Sequence, residues 1–398
     1  MPRNTSYSGR AAIGCTLLGA ALLPFPACAK SFQVLYTFTG GSDGGFPDSP
    51  LIADASGNLY GTTNVGGAGN GYNGFGTLFR LAPDGTLTVL HTFDGTNGSN
   101  PSGAIVMDKK GNIYGTTERG GANNVWGVVF KLTPGGEFKV LHSFGAASDG
   151  ADPKGGVIRD RWGNLYGTTF EGGATGGGTV FEVARDGTET VLHSFNGFGD
   201  GLNPVGSVAA DAAGNLYGTT EYGGLDNYCG GHGCGTVFTT DTSGNEKVLY
   251  SFVGTYQSGT DGEFPWGTPS VDAAGNVYGT TLAGGANGAG TVFELSPGGT
   301  ETVLYSFTGG RDGEQPEAGL YRDSAGNLYG TNSGLDQAYG AAFKVGPKGT
   351  EVTLHTFSGG NNGANPTTDL AKAGIGYLVG TALKGGQYGW GVVFKVKE

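Results

Sequence analysis

Residue types that carry acid–base or metal chemistry are few in this chain, and most of them repeat. Of five histidines, His91, His142, His193 and His355 share one place in a recurring Leu-His-Ser/Thr-Phe string, where other copies carry Tyr36, Tyr250 and Tyr305. An imidazole that alternates with a phenol reads as a packed amphipathic ring of an outer strand, because a general base needs the imidazole itself. His232 alone is unique to its copy, and a solvated loop residue is the expectation there. It lies within Tyr228-Cys229-Gly230-Gly231-His232-Gly233-Cys234. Cys229 and Cys234 read as a loop-closing disulfide if the chain is exported. The rival is a metal site with His232, but three ligands in one short loop without a fourth make poor zinc chemistry. The carboxylates repeat too. Asp54, Asp108, Asp160, Asp211, Asp272 and Asp323 each precede a turn and suit the acceptor role of an Asx turn, with Lys372 at the seventh equivalent position. Asp43, Asp149, Asp200, Asp261 and Asp312, matched by Asn97 and Asn362, open Asp-Gly-x-x-Pro loops. A turn stiffened by proline explains them. Calcium is the rival, although each loop offers one certain carboxylate and two offer an amide. No metal ligand set and no cofactor are expected. The strings G-x-S-x-G, H-E-x-x-H, C-x-x-C, the P-loop and the EF-hand loop are all missing.

The elements that must position these residues follow from glycine. The 398 residues include 83 Gly and 16 Pro, a share that alone would suggest disorder, yet there are also 22 Phe and 18 Tyr. Beyond the first thirty residues no dozen residues run without Gly or Pro, so helix is excluded and short strands joined by turns remain. Gly-Asn-Leu-Tyr-Gly-Thr-Thr or a close variant recurs with its Asn at 58, 112, 164, 215, 276 and 327, and a decayed seventh copy spans Tyr377-Leu378-Val379-Gly380-Thr381. Each unit offers four short β segments, a to d. In the third they are Gly156 to Asp160, Leu165 to Thr169, Thr179 to Val183 and Glu189 to Phe195. Repeated seven times, this is the pattern of an all-β, seven-bladed β-propeller. A lone d segment, Val34 to Phe38, precedes the first unit, and Gly391 to Val396 is a c segment with no d after it. The last blade is therefore expected to be closed by the N-terminal strand, which leaves no blade short.

Arg3 and Arg10, the apolar run Ala11 to Leu23 and the Ala27-Cys28-Ala29 site read as a cleaved signal peptide over 1–29, with one propeller domain over 30–398. A lipid anchor at Cys28 is the weaker alternative, since Phe25 and Pro26 stand where small aliphatic residues belong. The run is too short to span a bilayer, so no transmembrane segment is expected. Removing 1–29 leaves 20 basic against 34 acidic residues and no basic cluster, which argues against nucleic acid. The localisation expected is periplasmic or extracellular, and the protein a monomer.

The Gly-Asn-Leu-Tyr-Gly-Thr-Thr, Gly-Gly and Gly-Thr-Val-Phe units resemble the GloVer-type tandem repeat of exported bacterial proteins over nearly the whole mature chain. The Asp-x-x-Gly-Asn-Leu-Tyr core is similar to an NHL-type propeller strand pair. The resemblance implies a propeller and export; it supplies no catalytic residues.

Binding is expected where the repeats differ. The residue before segment c is Phe75, Trp126, Gly177, Cys234, Ala289, Tyr339 and Trp390 around the ring. Phe75, Trp126, Tyr339 and Trp390 fall in neighbouring blades, a crescent suited to stacking on sugar rings or, alternatively, to filling gaps over the sheet. Glu118, Arg119, Asn123, Asn124, Asp336, Gln337, Lys384 and Gln387 lie near it in sequence. Blade four has a long b–c loop with Glu221, Tyr222, Asp226 and His232, and blade five a long loop from Tyr256 to Trp266. The two form either a pocket or an ordinary elaboration. The functions expected are a binding module for carbohydrate or another cell-surface polymer, a protein-interaction scaffold, or a polysaccharide lyase, hydrolase or lactonase with its site in the central funnel.

Overall fold

In the computed structural model the described residues are 31–69, 71–122, 126–145, 148–197, 199–225, 228–255, 261–334 and 339–398. They form seven four-stranded antiparallel sheets, each running a-b-c-d in order. In blade 3 these strands are Ile158–Arg159, Leu165–Thr169, Thr179–Val183 and Glu189–Ser194. Blade 7 takes its outer strand from Phe32–Thr37, which pairs antiparallel with Val392–Lys397, so the chain closes the ring as expected.

The repeated string is the mechanism of closure. Its glycine lies under a phenylalanine of strand c. A Cβ on Gly167 would come within 2.7 Å of the Phe181 ring, and one on Gly218 within 2.3 Å of Phe238. That phenylalanine reaches across to the preceding blade and meets the ring at the end of its strand d edge to face. Phe144–Phe181 (5.2 Å between centroids) and Phe195–Phe238 (5.0 Å) are two of seven such pairs around the ring. The first threonine of Gly-Thr-Thr donates to a carbonyl of the next blade, as Thr116 Oγ1 does to Gly155 O at 2.9 Å and Thr280 Oγ1 to Ala318 O at 2.8 Å. The second threonine stays within its blade, where Thr169 Oγ1 meets Thr179 Oγ1 at 2.9 Å. Thr116→Val keeps the shape but orphans a buried carbonyl. It is expected to cost about 1–2 kcal/mol by urea unfolding, with strand content unchanged by circular dichroism.

The aspartates before the a–b turns act as Asx acceptors. Asp54 takes N–H bonds from Ser56 and Asn58 (2.9 Å each), the Asn58 amide (2.8 Å) and the Tyr60 hydroxyl (3.1 Å). Burial opposes its ionisation, but these donors hold its carboxyl below the usual range. At the seventh position Lys372 pairs with Glu398 instead.

Candidate functional site

The Asp/Asn-Gly-x-x-Pro loops are anchored at both ends. In six of the seven the first residue binds the His or Tyr of the preceding strand d, while Asn97 Oδ1 accepts from Asp94 N–H at 3.1 Å instead. Tyr305 donates to Asp312 at 2.9 Å, His193 and Asp200 lie 3.0 Å apart, and Asn362 meets His355 at 3.3 Å. The loop carboxylates are thus engaged by ring partners and by backbone N–H groups such as Val253 on Asp261 at 2.8 Å. The residue before the proline has a left-handed backbone in all seven loops, with φ between 53° and 59° at Phe46, Asn100, Asp152, Asn203, Phe264, Gln315 and Asn365. Side chains other than Asn and Asp resist that conformation. Bonds on both sides enforce it: Phe264 N–H donates to Cys234 O at 2.9 Å and its carbonyl accepts from Leu282 N–H at 3.0 Å.

Anchored in this way, each loop delivers the residue after its proline to the propeller axis. These residues are Asp48, Ser102, Lys154, Val205, Trp266, Glu317 and Thr367, no two alike, and all seven line one cavity of about 200 Å3. Thr268 and Asp369, two positions further along their loops, line it too, as does Glu118 at the end of strand b in blade 2.

Four carboxyl groups face one ammonium there. Burial pushes Asp48 up to about 7, with Glu118 and Glu317 adding like-charge repulsion against a 2.8 Å hydrogen bond from Thr367. Burial raises Asp369 to about 6 although Gly319 N–H donates to it at 2.6 Å. Burial also raises Glu317, which Ser333 Oγ contacts at 3.0 Å, and Glu118, which Ser102 and Lys154 partly offset. Lys154 Nζ sits 3.2 Å from the centroid of the Phe170 ring. The indole N–H of Trp266 is shielded from solvent and has no partner among the described residues. A flat aromatic face, an unused donor, hydroxyls and four acceptors therefore converge on one space.

Of the residues singled out in the sequence, Glu118 reaches this cavity, as does Trp266 at the end of the long blade-five loop. Phe75 and Tyr339 are 38 % and 41 % exposed, while Trp126 and Trp390 are half-buried against the cores of their seams. Trp390 packs at a tilt against Phe46 (4.9 Å) and Tyr72 (5.1 Å), and Tyr72 is 77 % exposed. Arg119 forms an ion pair with Asp152 of the next loop at 3.0 Å. Glu221 is buried, and Tyr222 packs on Phe264 across the blade 4–5 seam at 5.4 Å. His232 is exposed beside Tyr222, and Lys384 is exposed with its backbone paired to Ala364. Cys229 and Cys234 are disulfide-bonded. Asn123, Asn124, Asp226, Tyr256, Asp336 and Gln337 lie outside the described residues.

No curated protein matches the chain. Among solved structures it is similar to a protein assigned as a gluconolactonase (13 % identity, TM-score 0.47, covering 94 % of this chain and 93 % of that one). It is also similar to a gluconolactonase of Xanthomonas campestris (14 %, 0.44, 73 % and 83 %). A third is a luciferin-regenerating enzyme (13 %, 0.46, 89 % and 92 %). The Gloeobacter/Verrucomicrobia repeat matches over residues 19–144, 68–259, 123–320 and 227–398. With four overlapping matches across nearly its whole length and seven blades built on the repeated string, the chain belongs to the Gloeobacter/Verrucomicrobia repeat family.

Proposed function

We propose that this propeller is an exported carbohydrate-binding module that takes one sugar unit into the axial cavity. The observation that carries the reading is the convergence of Trp266 with Asp48, Glu118, Glu317 and Asp369 in a space of about 200 Å3. Sugar C–H faces stack on an indole, while hydroxyls donate to carboxylates and accept from N–H groups. Export is supported by the Cys229–Cys234 disulfide, which belongs in an oxidising compartment, and by the leader at 1–29, which lies outside the described residues. Among the described residues no helix is long and apolar enough to cross a membrane.

Titration calorimetry and pull-down against soluble and insoluble glycans test the reading. Trp266→Ala is expected to weaken binding at least ten-fold, and Trp126→Ala with Trp390→Ala much less. Loss in the second variant alone would move the site to the aromatic crescent; no glycan binding would leave the protein-interaction scaffold. A second reading, hydrolysis of the bound sugar derivative, is favoured by one observation: Asp48 at about 7 and Asp369 at about 6 titrate where an acid and a base operate. It requires product formation that Asp48→Asn and Asp369→Asn each abolish.

A further inference from the structure

At the outer edge, each seam between blades brings together three positions: the His or Tyr of one strand d, the first residue of the following loop, and the first residue of the next strand d. Two seams place an amide in the loop. There the imidazole stacks flat on phenylalanine, His91 on Phe138 at 3.7 Å and His355 on Phe32 at 3.5 Å. Burial keeps both rings neutral, His355 down to about 4. The seam between blades 3 and 4 is built otherwise. His193 Nε2 lies 3.0 Å from Asp200 Oδ2, and Glu246 supplies a third donor, all three atoms lying within 4.8 Å of one another.

The donor set is mixed nitrogen and oxygen, and it is incomplete as it stands. Asp200 accepts from Gly201 N–H at 2.7 Å and Asn196 N–H at 3.2 Å, which fix its carboxylate in place. Glu246 Oε1 is shielded from solvent, faces the Asp200 carboxylate and the imidazole, and has no hydrogen-bond partner among the described residues. The same oxygen is unpartnered on Glu189 and Glu301 in the neighbouring seams, so what sets this seam apart is the gathering of an imidazole and two carboxylates with their donor atoms within 4.8 Å of one another. A first-row divalent ion bonds such donors at about 2.0–2.2 Å, which puts neighbouring donors ~3 Å apart and opposite donors ~4.4 Å apart. His193 Nε2 and Asp200 Oδ2, 3.0 Å apart, match neighbouring donors of such an ion, and all three donor atoms lie within 4.8 Å of one another. The remaining coordination positions are left for water.

We propose that His193, Asp200 and Glu246 form a binding site for a zinc-class divalent cation, which bridges blades 3 and 4. The other seams serve as internal controls. Tyr250, Asp261 and Glu301 repeat the two carboxylates with a phenol in place of the imidazole. His142, Asp149 and Glu189 repeat the residue types, but among the described residues only the blade 3–4 set gathers its three donor atoms this closely. The site is independent of the sugar reading.

The experiment is calorimetric titration of the EDTA-dialysed protein with ZnCl2 and MnCl2, with Co2+ absorption as a spectroscopic readout. One ion per chain is expected to bind and to raise the melting temperature. Glu246→Gln and His193→Gln, each checked for folding by circular dichroism, are expected to weaken binding at least ten-fold and to remove the Co2+ visible bands. His142→Gln and Glu301→Gln should leave binding unchanged. No ion bound by the wild type, or binding that survives both Glu246→Gln and His193→Gln, overturns the proposal.

Discussion

Gly156→Ala is expected to prevent the ring from forming. A Cβ on Gly156 would lie 1.9 Å from the Ala104 carbonyl oxygen and 2.4 Å from the Ala104 nitrogen of the preceding blade. Both are backbone atoms, so no side chain can swing aside. The same close approach runs along the axis, where a Cβ on Gly103 would meet Gly156 N at 2.5 Å and one on Gly155 would meet Gly206 O at 2.6 Å. Blades 2 to 4 are seated backbone on backbone there. Separating two of them would open the edge-to-face phenylalanine pairs and the threonine latches together. A loss of at least 3 kcal/mol is expected, near the upper end for overpacking, seen as insoluble protein or a collapsed urea midpoint. Gly360→Ala is the control. Nothing lies within 4 Å of its added Cβ, and it should stay within about 0.5 kcal/mol of wild type. A Gly156→Ala protein that melts like wild type would refute the axial packing described here.

The second large effect is a loss of stability between pH 6 and pH 8. Asp48, Glu189 and Glu301 are held up at about 7 and Asp369 at about 6, by burial first and then, except at Asp369, by neighbouring carboxylates. A raised acid binds its proton more tightly folded than unfolded. Its contribution is complete below the unfolded value near 4 and lost as pH rises through the folded value. The turn aspartates Asp54, Asp108, Asp211, Asp272 and Asp323 work in the opposite sense, their contribution failing as pH falls below about 4. His91, His142 and His355, lowered by burial, favour folding as pH rises, but that effect is complete by about 6.5. The maximum therefore falls near pH 5 to 6. A tenfold change in proton affinity is worth about 1.4 kcal/mol, so the enclosed Asp48 and Asp369 alone make the decline one of kcal/mol. The half-exposed glutamates add less, because solvent screens them. Urea midpoints at pH 5.5 and pH 8 check this: a flat or rising profile contradicts it, and Glu189→Gln with Glu301→Gln should flatten part of the fall.

The architecture was legible because identical seams demand identical residues. Seven copies of one string, an unpaired d segment near residue 34 and an unpaired c segment near residue 394 were enough to count blades and to see how the ring closes. The alternation of His with Tyr and that of Asp with Asn were each visible along the chain. That they are two halves of one contact was not, because the partners are seven or eleven residues apart across a turn. The axial site escaped for the opposite reason. Asp48, Ser102, Lys154, Val205, Trp266, Glu317 and Thr367 share a position but no chemistry, so a search for repetition passes over them. The signal was present as a position that varies in every copy immediately after an invariant proline. Glu118 was noticed only as a polar neighbour of the crescent in sequence, and Trp266 only as the end of a long loop. The crescent aromatics drew notice by their type, yet Trp126 and Trp390 are used largely in packing.

The pairing of Phe32–Thr37 with Val392–Lys397 also sets when the molecule can become whole. The earliest strand of the ring has no hydrogen-bonded strand partner until the latest one has been made. Bringing them together closes a loop of nearly the full chain, at an entropic cost that grows only with the logarithm of its length. The hairpins of each blade close short loops, whereas this pairing is long-range, a class of contact associated with slow folding, and blade 7 has an unpaired edge without it. The order is a matter of where the backbone is cut. Ser31 O accepts from Lys397 N–H at 2.8 Å, so a short linker joining residues 31 and 397 spans almost no distance. Reopening the chain at the exposed turn around Trp162 would then leave every seam intact and convert the last contact made into a neighbouring hairpin.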